Sequence, residues 1–127
     1  MSQSRAAYRV DRQRWEREYL RQLQLAELPA PEKQYHFHPV RKWRSDFAYP
    51  GLHLLIEIEG GIYTNGRHVR PQGYQEDCIK YNEAALLGYR LLRFTPDMVE
   101  SGSALRYTEA AIQSGGSAVD DLQEMEY

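Results

Sequence analysis

Cysteine is almost absent from this chain: Cys78 is the single example in 127 residues. A lone thiol excludes an internal disulfide and a cysteine-based zinc cluster, and it fits a reducing compartment. Long apolar runs are missing as well. None approaches the roughly 20 residues needed to cross a bilayer, and the charged N-terminus does not read as a secretory signal. The expectation is a soluble intracellular protein. No Gly-rich phosphate loop occurs, which argues against a nucleotide-driven enzyme. There is no internal repeat and no extended low-complexity tract. What is present is 42% hydrophobic residues in one domain's length of chain. At that size folding buries about two thirds of the extended chain's surface, enough for one core without staples.

The formal net charge of -2 conceals an asymmetry. Residues 1–44 carry ten Lys/Arg and five Asp/Glu, a balance of +5, whereas residues 45–127 carry six and thirteen, a balance of -7. Local rather than net charge sets the field, so a basic front half can track phosphates. A solvated basic helix has the same composition.

Residues 4–27 contain no Gly or Pro and are rich in Arg, Gln, Glu and Leu, which predicts a long first helix ended by Pro29 and Pro31. Tyr8, Trp15, Tyr19, Leu20 and Leu23 form its apolar stripe. A short extended segment over 35–37 follows. Residues 43–59 read as a hairpin turning at Pro50-Gly51, broken afterwards by Gly60-Gly61 and a polar loop over 62–71. A second helix is expected over 74–87, with Gly88 as its stop and Tyr74, Cys78, Tyr81 and Ala85 as its buried stripe. A strand over 89–94 comes next, and strand–helix–strand order favours parallel pairing. Ser103 is placed to cap a last helix through Ile112, with a loose acidic tail over 114–127. The fold class is α/β, a mixed central sheet flanked by helices, with one domain over 1–113.

Asp46, Glu57 and Glu59 need explaining. Glu57 and Glu59 are two apart in a strand and share a face, with Cα atoms roughly 6–7 Å apart. A two-residue turn at Pro50-Gly51 would put Asp46 opposite Leu55, on that face and diagonal to Glu57. Three carboxylates in one patch oppose folding unless a cation neutralises them, and clustered hard oxygens suit Mg²⁺ or Mn²⁺. Alternating Ile and Glu also describes an ordinary half-exposed strand, with Arg44 paired to Glu57. Two features favour the ion: Gly60-Gly61 lets a large ligand approach the backbone, and the following loop supplies Arg67, His68 and Arg70. On the next helix, which also carries Asp77, Glu76 and Lys80 form either a surface ion pair or a means of bringing Lys80 to the metal site. His36 and His38 point to one face of an extended segment as two zinc ligands would, but no third soft ligand has a motif spacing. Trp43 and Tyr63 are either base-stacking or core aromatics.

The runs HPVRKWRSDFAYP, LLIEIEGGIY, GRHVR and YQEDCIKYNEAALLGYRLLRFT resemble the PD-(D/E)XK nuclease superfamily, and within it the small phage and prophage endonucleases of the very-short-patch-repair-like branch. The resemblance covers roughly residues 16–104. It implies a restriction-endonuclease-like core over 43–95. It places Asp46 at the first catalytic Asp and Glu57 at the second acid, with both as metal ligands. Glu59 stands where the standard motif has its Lys, a departure that makes Lys80 the candidate replacement. His68 matches a loop His of these relatives and Glu16 an acid on their first helix; Asp77 is a further auxiliary candidate. The implied activity is Mg²⁺- or Mn²⁺-dependent hydrolysis of DNA phosphodiester bonds in a bacterial cytoplasm. Asp46, Glu57 and Glu59 would hold the metal, Lys80 or His68 would carry protons or stabilise charge, and Arg41, Lys42, Arg44, Arg67 and Arg70 would grip the DNA backbone. Cutting both strands would require a homodimer or two successive nicks. Two other functions fit the same residues: a non-catalytic nucleic-acid-binding module on a retired nuclease fold, and an interaction factor that docks through its first helix.

Overall fold

The computed structural model describes residues 5–59 and 71–125, with side-chain surroundings for 12–59 and 73–115. The uninterrupted helix formers at the front make α1 (Arg5–Leu25). Tyr19 and Leu23, four apart, are buried, with Trp15 and Leu20 packed beside them. The helix stops before either proline. Leu28 N–H bonds to the Leu23 carbonyl and Glu27 N–H to the Gln24 carbonyl, each at 3.0 Å, while Glu27 adopts φ 58°. This is a Schellman terminus, with an exposed glutamate at the left-handed position that glycine normally fills. Glu27→Gly is therefore expected to raise stability by about 0.5–1 kcal/mol, read as a higher urea midpoint at unchanged slope.

Three antiparallel strands follow, β1 (Glu32–His36), β2 (Arg44–Tyr49) and β3 (Leu54–Ile58). The hairpin turn is longer than Pro50-Gly51 alone: Pro50–Leu52 form a 3₁₀ turn and His53 adopts φ 49°, so the closing pair is Tyr49 with Leu54. Proline fits the first position of such a turn and cannot pair within a ladder. After α2 (Pro71–Leu86), β4 (Arg90–Phe94) pairs parallel to β3, as expected for a helical crossover. The sheet order is β1-β2-β3-β4.

Two layers cover this sheet. Phe47, Tyr49, Leu54, Ile56, Ile58 and Phe94 face α1 and two further helices, α3 (Pro96–Ser101) and α4 (Ser103–Met125), which contribute Val99 and Ala104. On this side the Tyr19 hydroxyl and Thr108 Oγ1 satisfy each other at 2.7 Å. Ala48 and Leu55 face the other way, against Phe37 and Ala84 of α2. All five residues of β3 are buried, which excludes the half-exposed strand that Ile/Glu alternation allowed.

Three expectations change. The inward line of α2 does not run through Tyr74 and Ala85, which are exposed; Ala84 is buried, and Lys80 and Tyr81 are half-buried. The face that α2 covers contains the acid Glu57, so its inward side includes a lysine that apolar periodicity does not register. A short α3 precedes the last helix, with Thr95 accepting from Met98 N–H and Pro96 in its first turn. And α4 continues past Ile112 and Gly115 to Met125, where glycines and acidic residues predicted a loose tail. Gly115 packs closely: a Cβ on it would lie 2.8 Å from Arg90 Nη2, the end of a flexible side chain, and 3.2 Å from Leu52 Cδ2. Among the described residues no helix is long and apolar enough to cross a membrane.

Candidate active site

The β2–β3 register, continued one step beyond the Phe47–Ile56 pair, puts Asp46 directly opposite Glu57. The longer turn moves Asp46 two residues from its expected partner Leu55 but keeps it on the same face, because a two-residue shift preserves the pleat. Both carboxylates are enclosed, at 3% and 5% residual exposure. At this point the ladder gives way to side chains. Ser45 Oγ accepts from Ile56 N–H at 3.2 Å and lies 2.7 Å from the Phe47 carbonyl. Asp46 Oδ2 accepts from Ile58 N–H at 2.8 Å, and Asp46 N–H donates to Glu57 Oε2 at 3.3 Å. On the other flank Gln34, which the β1–β2 register places across from Asp46, adopts φ 48° inside its strand. Backbone pairing is thus interrupted on both sides of Asp46, and interrupted ladders with a left-handed non-glycine residue cluster at functional sites.

Cations compensate each acid. Lys80 of α2 donates from Nζ to Glu57 Oε1 at 2.6 Å. Arg12 of α1 donates from Nη2 to Asp46 Oδ1, and its Nε lies 3.9 Å from Glu16 Oε2. Burial pushes Glu57 up to about 7, helped by the Asp46 charge and opposed by Lys80. Burial likewise raises Glu16, with Asp46 as the next contributor, which puts the helix-borne acid within electrostatic range of the pair. So the acid expected on the first helix, the Asp on β2, the Glu on β3 and the Lys on α2 come together.

Glu59 does not join them. It lies just past β3, where its N–H bonds to the Phe94 carbonyl and its Oε1 accepts from Arg93 Nε at 2.5 Å. The Arg93 guanidinium also stacks on the Tyr81 ring, 4.5 Å from its centroid. Among the described residues no three His, Cys, Asp or Glu side chains gather closely enough to hold a metal. The expected trio of ligands is a pair here, because Arg93 on the neighbouring strand draws Glu59 away. The remaining donor set of two adjacent hard oxygens still fits Mg²⁺ or Mn²⁺, which usually bind one or two carboxylates and complete their shell with water and phosphate.

Arg12, Tyr81 and Arg93 were not legible as site residues. Tyr81 reads as core in the sequence, yet burial and the charges of Glu57 and Glu59 raise its phenol, so it stands as a neutral ring within electrostatic range of both acids. Arg93 pairs with Glu57 in the parallel register, a position that only topology assigns. Asp77 is exposed and within electrostatic range of Arg93 and Tyr81. Arg41, Lys42 and Arg44 are exposed where β2 begins, at the sheet end that carries Asp46. Trp43 packs on Phe37 and is capped by the Arg41 guanidinium at 4.1 Å, so it serves the smaller core. The two histidines do not form a metal pair: His36 Nε2 bonds to the Arg41 carbonyl at 2.6 Å, and His38 Nε2 to Glu83 at 3.1 Å. Arg67, His68, Arg70, Tyr63 and Gly60-Gly61 lie outside the described residues.

No family model matches this sequence, and no curated protein does. A similarity to a solved structure was found. The catalytic domain of the homing endonuclease I-Bth0305I aligns at a TM-score of 0.48 and 23% identity, over 83% of this chain and 92% of that one.

Proposed function

We propose that this chain is a metal-dependent endonuclease of the PD-(D/E)XK type that hydrolyses DNA phosphodiester bonds. The observation that carries the reading is the buried Asp46–Glu57 pair at the edge of an interrupted ladder, with Lys80 bonded to Glu57. Burial of two adjacent carboxylates is costly even with Arg12 and Lys80 beside them, and enclosed, mutually repelling acids of this kind are characteristic of functional sites. Asp46 and Glu57 would hold Mg²⁺ or Mn²⁺, and such an ion, when bound, supplies Lewis-acid polarisation of a phosphate. Lys80 keeps Glu57 oriented and adds a fixed positive charge where a phosphate would enter. Glu16 is the auxiliary acid, and Asp77 tunes the Arg93–Glu59 pair. Arg41, Lys42 and Arg44, with Arg67 and Arg70, position the backbone without reading its bases, and His68 is the candidate proton carrier. Resemblance to small phage endonucleases adds a bacterial cytoplasm as the setting and a homodimer as the route to double-strand cutting. The test is incubation of the full chain with supercoiled plasmid and Mg²⁺ or Mn²⁺. Nicked or linear product is expected, with none in EDTA.

One observation favours a second reading, a non-catalytic nucleic-acid-binding module on a retired nuclease fold. Arg12 and Lys80 already neutralise the two acids without any metal. That reading expects salt-sensitive DNA binding, no cleavage in any divalent metal, and no metal-dependent rise in melting temperature.

A further inference from the structure

Seven residues, 37–43, join β1 to β2 and are tied down by four hydrogen bonds and by ring contacts. His38 Nδ1 accepts two backbone N–H groups, from Val40 at 3.1 Å and Arg41 at 2.9 Å. A ring nitrogen that accepts carries no proton, so Nε2 holds it and donates to Glu83 Oε1 of α2 at 3.1 Å. The imidazole also meets the Trp43 ring edge-on at 5.2 Å. His36 Nε2 fixes the Arg41 carbonyl, and Trp43 fixes the Arg41 guanidinium. One half-buried histidine therefore ties the loop backbone to the helix that delivers Lys80.

The anchoring has a consequence at the surface. Core packing does not require it for the tip, because Val40 is 82% exposed and Arg41, Lys42 and Arg44 are exposed beside it. The loop presents Val40, Arg41 and Lys42 in a fixed arrangement, with Arg44 of β2 beside them, two to six residues before Asp46 and at the same end of the sheet. Its charge complements a polyanion, and ordering it before contact removes the entropy that a loose loop would lose on binding.

We propose that the β1–β2 loop is a preformed clamp for the backbone of duplex DNA beside the scissile phosphate, and that His38, through its bonds to Val40, Arg41 and Glu83, is the residue that positions it. The assignment deepens the endonuclease reading and rests on it for the substrate. His38 touches no substrate; it acts through Arg41 and Lys42.

The experiment measures binding of the full chain to a labelled 20-base-pair duplex in EDTA, by anisotropy across a salt series, with cleavage in Mg²⁺ assayed in parallel. The double variant Arg41→Ala with Lys42→Ala is expected to bind roughly tenfold more weakly, with a log K against log salt slope shallower by about two. His38→Ala is expected to reproduce most of that loss and of the slope change. His38→Asn, whose Oδ1 can accept from Val40 N–H as the imidazole does, is expected to stay within about threefold of wild type. Should His38→Ala not fold, Glu83→Ala decides, with an expected loss of about threefold. Wild-type affinity and slope in His38→Ala, or in the double variant, would overturn the proposal, as would a wild-type chain that binds no duplex. Loop-dependent binding without cleavage would remove the hydrolase and leave the clamp standing. Cleavage with loop-independent binding would do the reverse.

Discussion

Asp46→Asn and Glu57→Gln are each expected to lower the rate of plasmid nicking at least about a thousandfold, equivalent to roughly 4 kcal/mol of transition-state stabilisation. The amides are chosen because they remove charge and keep volume. Asparagine at position 46 retains an oxygen that can accept from Ile58 N–H, so the strand end stays joined. Glutamine at position 57 retains an acceptor for Lys80. Each change relieves the repulsion between the two buried acids but also removes the charge that Arg12 or Lys80 pairs with, so the two effects on stability oppose each other. The measurement therefore pairs nicking rates with melting temperatures, with and without Mg²⁺. Full activity in either variant would dismiss the site. A cooperative melt that no longer responds to Mg²⁺, together with lost activity, would support it.

Lys80→Met should produce the largest loss of stability, and the loss should depend on pH. Glu57 has its pKa raised in the folded chain to about 7, from an ordinary value of 4.5. Between those values the folded state binds more protons than the unfolded one, so stability in the absence of metal falls as the pH rises through that window. Lys80 opposes the trend by pairing with the ionised form. Without it, the carboxylate faces Asp46 with no cation on its own side, and its pKa moves higher still. At pH 8 the variant should lose about 2 kcal/mol, because one pH unit above a pKa of about 7 limits the extra cost of the unpaired charge to about 1.4 kcal/mol before the carboxyl takes up a proton. At pH 5, where Glu57 is protonated, the loss should shrink to about 1 kcal/mol, mostly that of one side-chain hydrogen bond. Urea midpoints at the two pH values test this. Equal losses at both would mean that Glu57 does not respond to its burial, and the electrostatic description of the site would be wrong.

Much of the element order was legible from local pattern. The first helix, the hairpin strands, the second helix stopping at Gly88 and the parallel last strand all follow from propensity, periodicity and punctuation, which act over a few residues. That Asp46 and Glu57 share a face was also legible, since parity along a strand survives an error of two in register, whereas pairing alone left Lys80 to Glu76 and only the resemblance pointed it toward Glu57. Turn length was not, because Pro50-Gly51 begins a 3₁₀ turn as readily as it forms a two-residue one. The helical course of α4 past Gly115 was equally hidden, since the side chains that pack against it there belong to the distant Arg90 and Leu52.

By itself the sequence determined which side chains carry charge and which strand face each one takes, because covalent geometry fixes alternation. Only the tertiary structure decided which charges meet. Arg12 reaches Asp46 across 34 residues of chain, Lys80 reaches Glu57 across 23, and Arg93 takes Glu59 across another 34. Coulomb energy depends on distance in space and on burial, and neither is written in sequence separation. The same acids that alternation would allow on a wet surface are, once α2 closes over them, an enclosed pair in need of a cation.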